Sequence, residues 1–173
     1  MSNLTFEITV NYLNEDFSVT LENGLSTKKE ILEYLKDTKK ERFEIESGED
    51  FEADLSNENE FEVTEDSEIP EWLKINGNVN YDLLTDLLEN YSYDYDIDVY
   101  EAANDAGIQF SDVDECYKGQ FSNDEDFAHY MAEQTGFVDK EANWPNNCID
   151  WELAAKELMY DYSSANGHYF KNI

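Results

Sequence analysis

Few residues of this chain combine the type and the spacing that chemistry needs. Cys116, Cys148, His129 and His168 are its only thiols and imidazoles. The cysteines lie 32 positions apart and form no CxxC pair, so the closely spaced ligands of a structural zinc site are missing. A Cys–His nucleophile built from the same four residues would stay unactivated, because neighbouring carboxylates hold a thiol in its protonated form. Buried, reduced thiols are the expectation for both cysteines. Asp94-x-Asp96-x-Asp98 starts like a calcium loop, but Val99 stands where that loop needs Gly and Asp105 where it needs a bidentate Glu. Paired carboxylates for glycoside hydrolysis arise in any chain with 42 acidic residues and identify nothing. No Gly-rich phosphate loop, GxSxG, HExxH or GxGxxG is present, so neither an enzymatic activity nor a cofactor is expected.

What the chain has in excess is carboxylate. Its 42 acids against 11 basic residues give a net charge of −31 over 173 residues. Chains this acidic are often disordered, but those are poor in aromatic groups, and this one has 12 Tyr, 10 Phe and 3 Trp. A folded protein follows. With no apolar run near the roughly 20 residues of a membrane span, and no basic and apolar leader after Met1, a soluble cytoplasmic protein is expected. The charge equals that on about 53 Å of duplex DNA, or about 15 base pairs, while a compact chain of this length is about 40 Å across. Solubility asks only for a net charge of roughly 2 to 8. Such a surface repels nucleic acid and anionic membrane and attracts proteins with basic grooves.

The elements that must carry this charge follow from periodicity. Leu4, Phe6, Ile8 and Val10 alternate with polar residues, as do Phe17, Val19 and Leu21 beyond an Asn14-Glu15-Asp16 turn, which predicts a β-hairpin. Thr27 and Glu30 have capping-box spacing ahead of a helix over 27–39. Phe43 with Ile45, Phe51, and Phe61 with Val63 are weaker strand signals. The polar run Glu65–Pro70 carries the first composition shift. Beyond it, Leu83, Leu84, Leu87 and Leu88 form an apolar stripe opposite Asp82, Asp86 and Glu89, predicting a helix. No basic residue occurs between Lys74 and Lys118, a stretch that holds eleven acids. The remainder predicts a strand over 115–121, a helix capped by Ser122 and Glu125 and stopped at Thr135-Gly136, and a loop over 142–147. A second helix follows over 149–160, offering Ile149, Leu153, Ala154, Leu158 and Met159 for burial, then a turn at Asn166-Gly167 and a strand at His168–Phe170. The class is α+β, in three parts: an N-terminal α+β unit over 1–66, an acidic helical unit over 67–110 and a C-terminal α+β unit over 111–173.

The last part carries a resemblance. The segment Glu115-Cys116-Tyr117-Lys118-Gly119-Gln120-Phe121-Ser122-Asn123-Asp124-Glu125-Asp126-Phe127-Ala128 resembles a strand, acidic turn and helix of the antirestriction protein ArdA family. Asn147-Cys148-Ile149-Asp150-Trp151-Glu152-Leu153-Ala154-Ala155-Lys156-Glu157-Leu158 is similar to that family's acidic, small-residue helix, and Gly167-His168-Tyr169-Phe170 to its closing strand. The likeness covers 110–173 well and 70–110 loosely; Lys156 stands where members often have Arg, and 1–66 is unmatched. It implies an elongated chain of small subdomains with a strongly acidic surface, often dimeric, acting in the cytoplasm of a bacterial host and encoded by a phage or mobile element. Its function would be DNA mimicry: carboxylates imitate phosphates and occupy the DNA groove of a type I restriction-modification enzyme.

On that reading the phosphate-mimicking residues are the acids without local counter-ions. They are Asp82, Asp86, Glu89, Asp94, Asp96, Asp98, Glu101, Asp105, Asp112, Asp114 and Glu115, with Asp124, Glu125 and Asp126 beyond them. A close variant keeps the mimicry and changes the target to another defence nuclease such as a CRISPR effector. A rival of a different class is an acidic chaperone for basic proteins, which would bind many of them comparably and block no particular groove.

Overall fold

The computed structural model describes residues 4–12, 15–47, 62–66, 68–138, 144 and 146–173. Two compact units divide the chain, residues 1–91 and 92–173, each containing helices and antiparallel sheet, so the class is mixed α+β. The division falls between Tyr91 and Ser92, inside the stretch 67–110 that composition sets apart.

In the first unit the two-residue alternation has its expected result. Strand β1 (Phe6–Tyr12) buries Phe6, Ile8, Val10 and Tyr12, and β2 (Glu15–Leu21) buries Phe17, Val19 and Leu21. Their antiparallel register sets Ile8 opposite Val19 and Val10 opposite Phe17, so the buried side chains meet as cross-strand pairs. Strand β3 (Glu62–Glu65) pairs with the other edge of β1, giving the order β2-β1-β3. Helix α1 (Lys28–Ser47) buries Ile31 and Leu35. Its capping box is formed: the Thr27 hydroxyl accepts the Glu30 N–H at 3.2 Å, and Glu30 Oε2 accepts the N–H groups of Thr27 at 3.0 Å and Ser26 at 3.1 Å. These backbone donors hold the Glu30 carboxyl below the usual carboxylate range.

Helix α1 runs well past the expected end at 39, and Phe43 and Ile45 are helical rather than extended. No Gly or Pro occurs between Ser26 and Gly48, and the intervening Lys, Glu and Arg are strong helix formers, so two apolar residues at i, i+2 do not break it. Phe51 and Phe61 fall outside the described residues. The polar run that ends at Pro70 is tied into this unit. Ile69 and Leu73 are buried, and the Lys74 ammonium donates to Glu71 at 2.9 Å and Asp66 at 3.1 Å, bonds that raise its pKa. Strands β4 (Lys74–Ile75) and β5 (Asn78–Val79) form a small hairpin through Asn76 and Gly77, at φ 53° and 77°. Helix α2 (Tyr81–Asn90) follows, capped by the Asn80 side chain, with Leu84, Leu87 and Leu88 buried.

The second unit begins with α3 (Ile97–Ala106), which buries Val99, Tyr100, Ala102 and Ala103 and stops at Gly107, φ 75°. A 3-10 turn over Phe110–Asp112 leads into α4 (Val113–Cys116), so Glu115 and Cys116 are helical and the expected strand starts only at β6 (Tyr117–Gln120). Helix α5 (Asp124–Gln134) is capped by Asn123 rather than Ser122, the Asn123 side chain accepting the Asp126 N–H at 2.9 Å. Asn123 and Asp126 repeat the three-residue cap spacing one position later. Helix α6 (Trp151–Leu158) is shorter than expected because Asp150 caps it, and of its residues only Ala155 is buried; Leu153 is 54% exposed. The loop expected over 142–147 lies largely outside the described residues. Strands β7 (Tyr162–Ala165) and β8 (His168–Lys171) are joined by the expected Asn166-Gly167 turn, and the sheet order is β6-β8-β7. The core is aromatic: Phe127 stacks on Tyr169 at 4.5 Å between ring centroids, with Tyr162 at 5.0 Å and Phe121 at 5.2 Å.

Two measurements check this packing. Glu30 is lowered in the folded state, so its stabilisation is complete above the ordinary carboxylate pKa and is lost as pH falls through the lowered one. Glu30→Gln is expected to lower the urea midpoint at pH 7, with the gap to wild type closing in acid. The Tyr81 hydroxyl is buried and has no hydrogen-bond partner among the described residues, and burial, reinforced by Asp66, pushes its pKa up to about 12. Tyr81→Phe removes an unsatisfied polar atom and is expected to raise stability by about 0.5–1 kcal/mol; a fall in the urea midpoint would show that the hydroxyl is bonded.

Candidate acidic interaction surface

The candidate carboxylates are placed by the apolar residues between them. On α2, burial of Leu84, Leu87 and Leu88 turns Asp82, Asp86 and Glu89 outward at i, i+4 and i+7. The helix is held in the first unit at Thr85, whose hydroxyl lies 2.9 Å from that of the buried Ser26. Asp86 accepts a hydrogen bond from the Asn90 amide at 2.9 Å.

The other eleven candidates belong to the second unit. The Ser92 N–H donates to the buried Tyr100 hydroxyl at 2.7 Å, and the Asp94 N–H donates to Ser92 Oγ at 3.3 Å, which shapes the turn that exposes Asp94 and Asp96. On α3 the buried Val99, Tyr100, Ala102 and Ala103 leave Asp98, Glu101 and Asp105 on the opposite stripe at i, i+3 and i+7, with Glu101 half-buried. These three charges are spaced about 4.5 and 6 Å along the helix axis, sparser than the roughly 3.4 Å per phosphate of one DNA strand. Burial of Phe110, Val113 and Cys116 turns Asp114 and Glu115 outward and leaves Asp112 half-buried. Tyr95 packs edge-on against Tyr117 at 5.3 Å, and the Tyr117 hydroxyl shares a 2.9 Å hydrogen bond with Nδ1 of the buried His168. Burial raises the Tyr95 phenol pKa, and the Asp114 carboxylate beside it raises it further. Asp124, Glu125 and Asp126 occupy the first turn of α5, where the helix dipole favours negative charge.

Among the described residues, none of the fourteen candidates forms an ion pair with a Lys, Arg or His. The nearest lysine in sequence, Lys118, donates instead to the backbone carbonyl of Glu115 at 2.7 Å. Besides Asp86 with Asn90 and Asp112 with Ser111, four candidates nevertheless have structural partners, one of them Asp114, which takes a hydrogen bond from the Tyr95 phenol. Asp124 accepts the Tyr169 hydroxyl at 2.7 Å, and burial followed by this bond drives the Tyr169 pKa well above its ordinary value. Asp126 accepts from the Asn123 amide, and Asp105 from the Asn166 amide in the β7–β8 turn, each at 3.2 Å.

The other chemistry-bearing residues are dispersed. Cys116 is buried, and burial, then Asp112 and Glu115, push its thiol pKa up. Cys148 is exposed rather than buried, because the 3-10 turn over Asn146–Cys148 places it at the surface. Among the described residues no group of three His, Cys, Asp or Glu could hold a metal ion, and no helix is long and apolar enough to cross a membrane. Not foreseen from the sequence is an apolar depression of about 580 Å³ between α5 and α6.

No family model matches the chain, and no curated protein or solved structure matches it.

Unpaired charge and structural charge separate experimentally. Raising salt from roughly 0.01 to 0.15 M shortens the Debye length from about 30 to about 8 Å and is expected to raise the urea midpoint by screening self-repulsion. Asp96→Asn is expected to change stability by less than about 0.5 kcal/mol, whereas Asp124→Asn, which weakens a charge-assisted hydrogen bond to the core, should cost about 1–2 kcal/mol.

Proposed function

We propose that the protein is an antirestriction DNA mimic, which occupies the DNA-binding groove of a type I restriction-modification enzyme and performs no catalysis. The observation that carries this reading is the set of candidate carboxylates from Asp82 to Asp126, twelve of the fourteen exposed and none ion-paired among the described residues. Like charges left unneutralised cost stability through self-repulsion. A partner with a basic groove supplies the compensation that the chain withholds from itself.

The mechanism is competitive. A basic groove holds counter-ions or DNA, and an anionic protein displaces either, gaining association rate from long-range steering. At contact each exposed Asp or Glu accepts a charge-assisted hydrogen bond from Lys or Arg. Affinity is spread over many such contacts. Asp124, Asp126, Asp105 and Asp114 serve both the fold and the surface, so the readiest contributors are Glu89, Asp94, Asp96, Asp98, Glu115 and Glu125.

The test is a titration of the purified chain into a type I methyltransferase bound to labelled cognate duplex, at two salt concentrations. DNA release is expected near one protomer or one dimer per enzyme, weakening as salt rises. Asp96→Asn alone should barely change it, while neutralising the six residues named above should abolish it. Loss of release from that one substitution in a folded protein would overturn the distributed-contact mechanism. No release by folded wild type would move the target to another defence nuclease, and comparable binding to unrelated basic proteins would favour a chaperone.

A further inference from the structure

Charge mimicry leaves one feature of the second unit unused, and that feature is apolar. Helices α5 and α6 pack against each other, and the depression between them is lined by Met131, Ala132, Phe137, Trp151, Ala154 and Leu158. Helical spacing produces it: Trp151, Ala154 and Leu158 recur at i, i+3 and i+7 on α6 and share one face. Ala132 and Ala154 are too small to fill the space between the helices, while Met131, Trp151 and Leu158 stand around it. The Trp151 indole is stacked on the His129 ring at 3.5 Å between centroids, which fixes one wall. Apolar exposure continues past the helix ends, with Phe137 exposed by 84% and Tyr160 by 71%. Large apolar side chains gathered at a surface mark an interaction site.

Charge decides the occupant. The described residues of 124–161 carry eight acids against Lys156, and the lining of the depression itself adds one cation, Lys171, beside Asp161. In a two-fold contact a patch meets itself, so a second copy would set these eight acids against eight. A partner that brings apolar side chains flanked by Lys and Arg meets no such penalty.

We propose that the α5–α6 depression is a docking site for a basic amphipathic helix of a partner protein. Apolar side chains at i, i+3, i+4 and i+7 enter between the two helices, and flanking Lys and Arg meet the surrounding carboxylates. The proposal deepens the mimicry reading, on which the basic character of the partner rests. It adds a contact that duplex DNA does not make, so a mimic anchored this way persists at salt concentrations that displace DNA.

The test uses the full chain and a synthetic peptide of about 18 residues, or five helical turns, with Leu on one face and Lys elsewhere, beside a scrambled isomer of the same composition. Calorimetry is expected to show one amphipathic peptide bound per chain, about tenfold tighter than the scrambled one. Ala154→Glu and Ala132→Glu each add an acid inside the depression. Association by charge alone would strengthen in these variants; docking between the helices should weaken about tenfold. Circular dichroism and melting identify which variants fold, and the two positions provide independent trials. Equal affinity for both peptides, or undiminished binding by a folded variant, would overturn the proposal. Self-association of wild type in sedimentation, abolished by Ala154→Glu, would overturn it too and assign the depression to a second copy. Peptide binding without DNA competition would support the docking site while removing mimicry alone; DNA competition without peptide binding would do the reverse.

Discussion

The second unit depends on one stack of rings. Phe127 is fully buried, with Tyr169 against its face and Phe121 and Tyr162 around it, so a residue from α5 and one from each strand of the β7–β8 hairpin share a single contact. A unit of this size buries only about 60% of the surface its unfolded chain exposes, and this one carries 18 acids against four lysines. Mutual repulsion pushes the unit apart, and large aromatic areas, each with favourable ring geometry, hold it together. The first unit meets the same constraint differently. With 24 acids against seven basic residues, it relies on mixed cross-strand pairs between β1 and β2, Phe6 with Leu21, Ile8 with Val19 and Val10 with Phe17, and it gathers most of the chain's cations on α1.

From this balance comes the division between acids that serve the fold and acids that do not. Tyr169 lies in the aromatic core, yet its hydroxyl must find an acceptor, and Asp124 at the start of α5 is that acceptor. Glu30 closes a capping box, and Asp66 and Glu71 hold Lys74. Asp94, Asp96, Asp98 and Glu115 have no comparable task among the described residues. They are directed outward by what is buried beside them.

Periodic segments were readable where one period ran without interruption. The β1–β2 hairpin alternates cleanly and α2 repeats its leucines at helical spacing, so both elements and their buried faces follow from residue type. The end of α1 did not, because Phe43 and Ile45 at i, i+2 fit a strand as well as a helix with no breaker nearby. Strand β7 was invisible: Tyr162-Ser163-Ser164-Ala165 has no apolar alternation and is extended only because β8 pairs with it. On α6 the buried residue is the small Ala155 while Leu153 faces solvent, an inversion set by tertiary packing rather than hydrophobicity. The candidate surface divides the same way. Exposure of the acids followed from their neighbours in sequence, but the ties of Asp124 to Tyr169 and of Asp105 to Asn166 span 45 and 61 positions, and no local pattern announces them.

The lysine distribution bears on how the chain can be cut. Across the 43 residues between Lys74 and Lys118 there is no basic side chain, and a protease that cleaves after Lys or Arg has no site there. The two flanking lysines are poor substitutes. The Lys74 side chain is only 7% exposed and lies between two carboxylates, and Lys118 is half-buried with its ammonium on a carbonyl. The junction at Tyr91 and Ser92, where a single cleavage would separate the two units, lies near the middle of that stretch. The charge pattern therefore doubles as protection of the connecting chain from trypsin-like digestion.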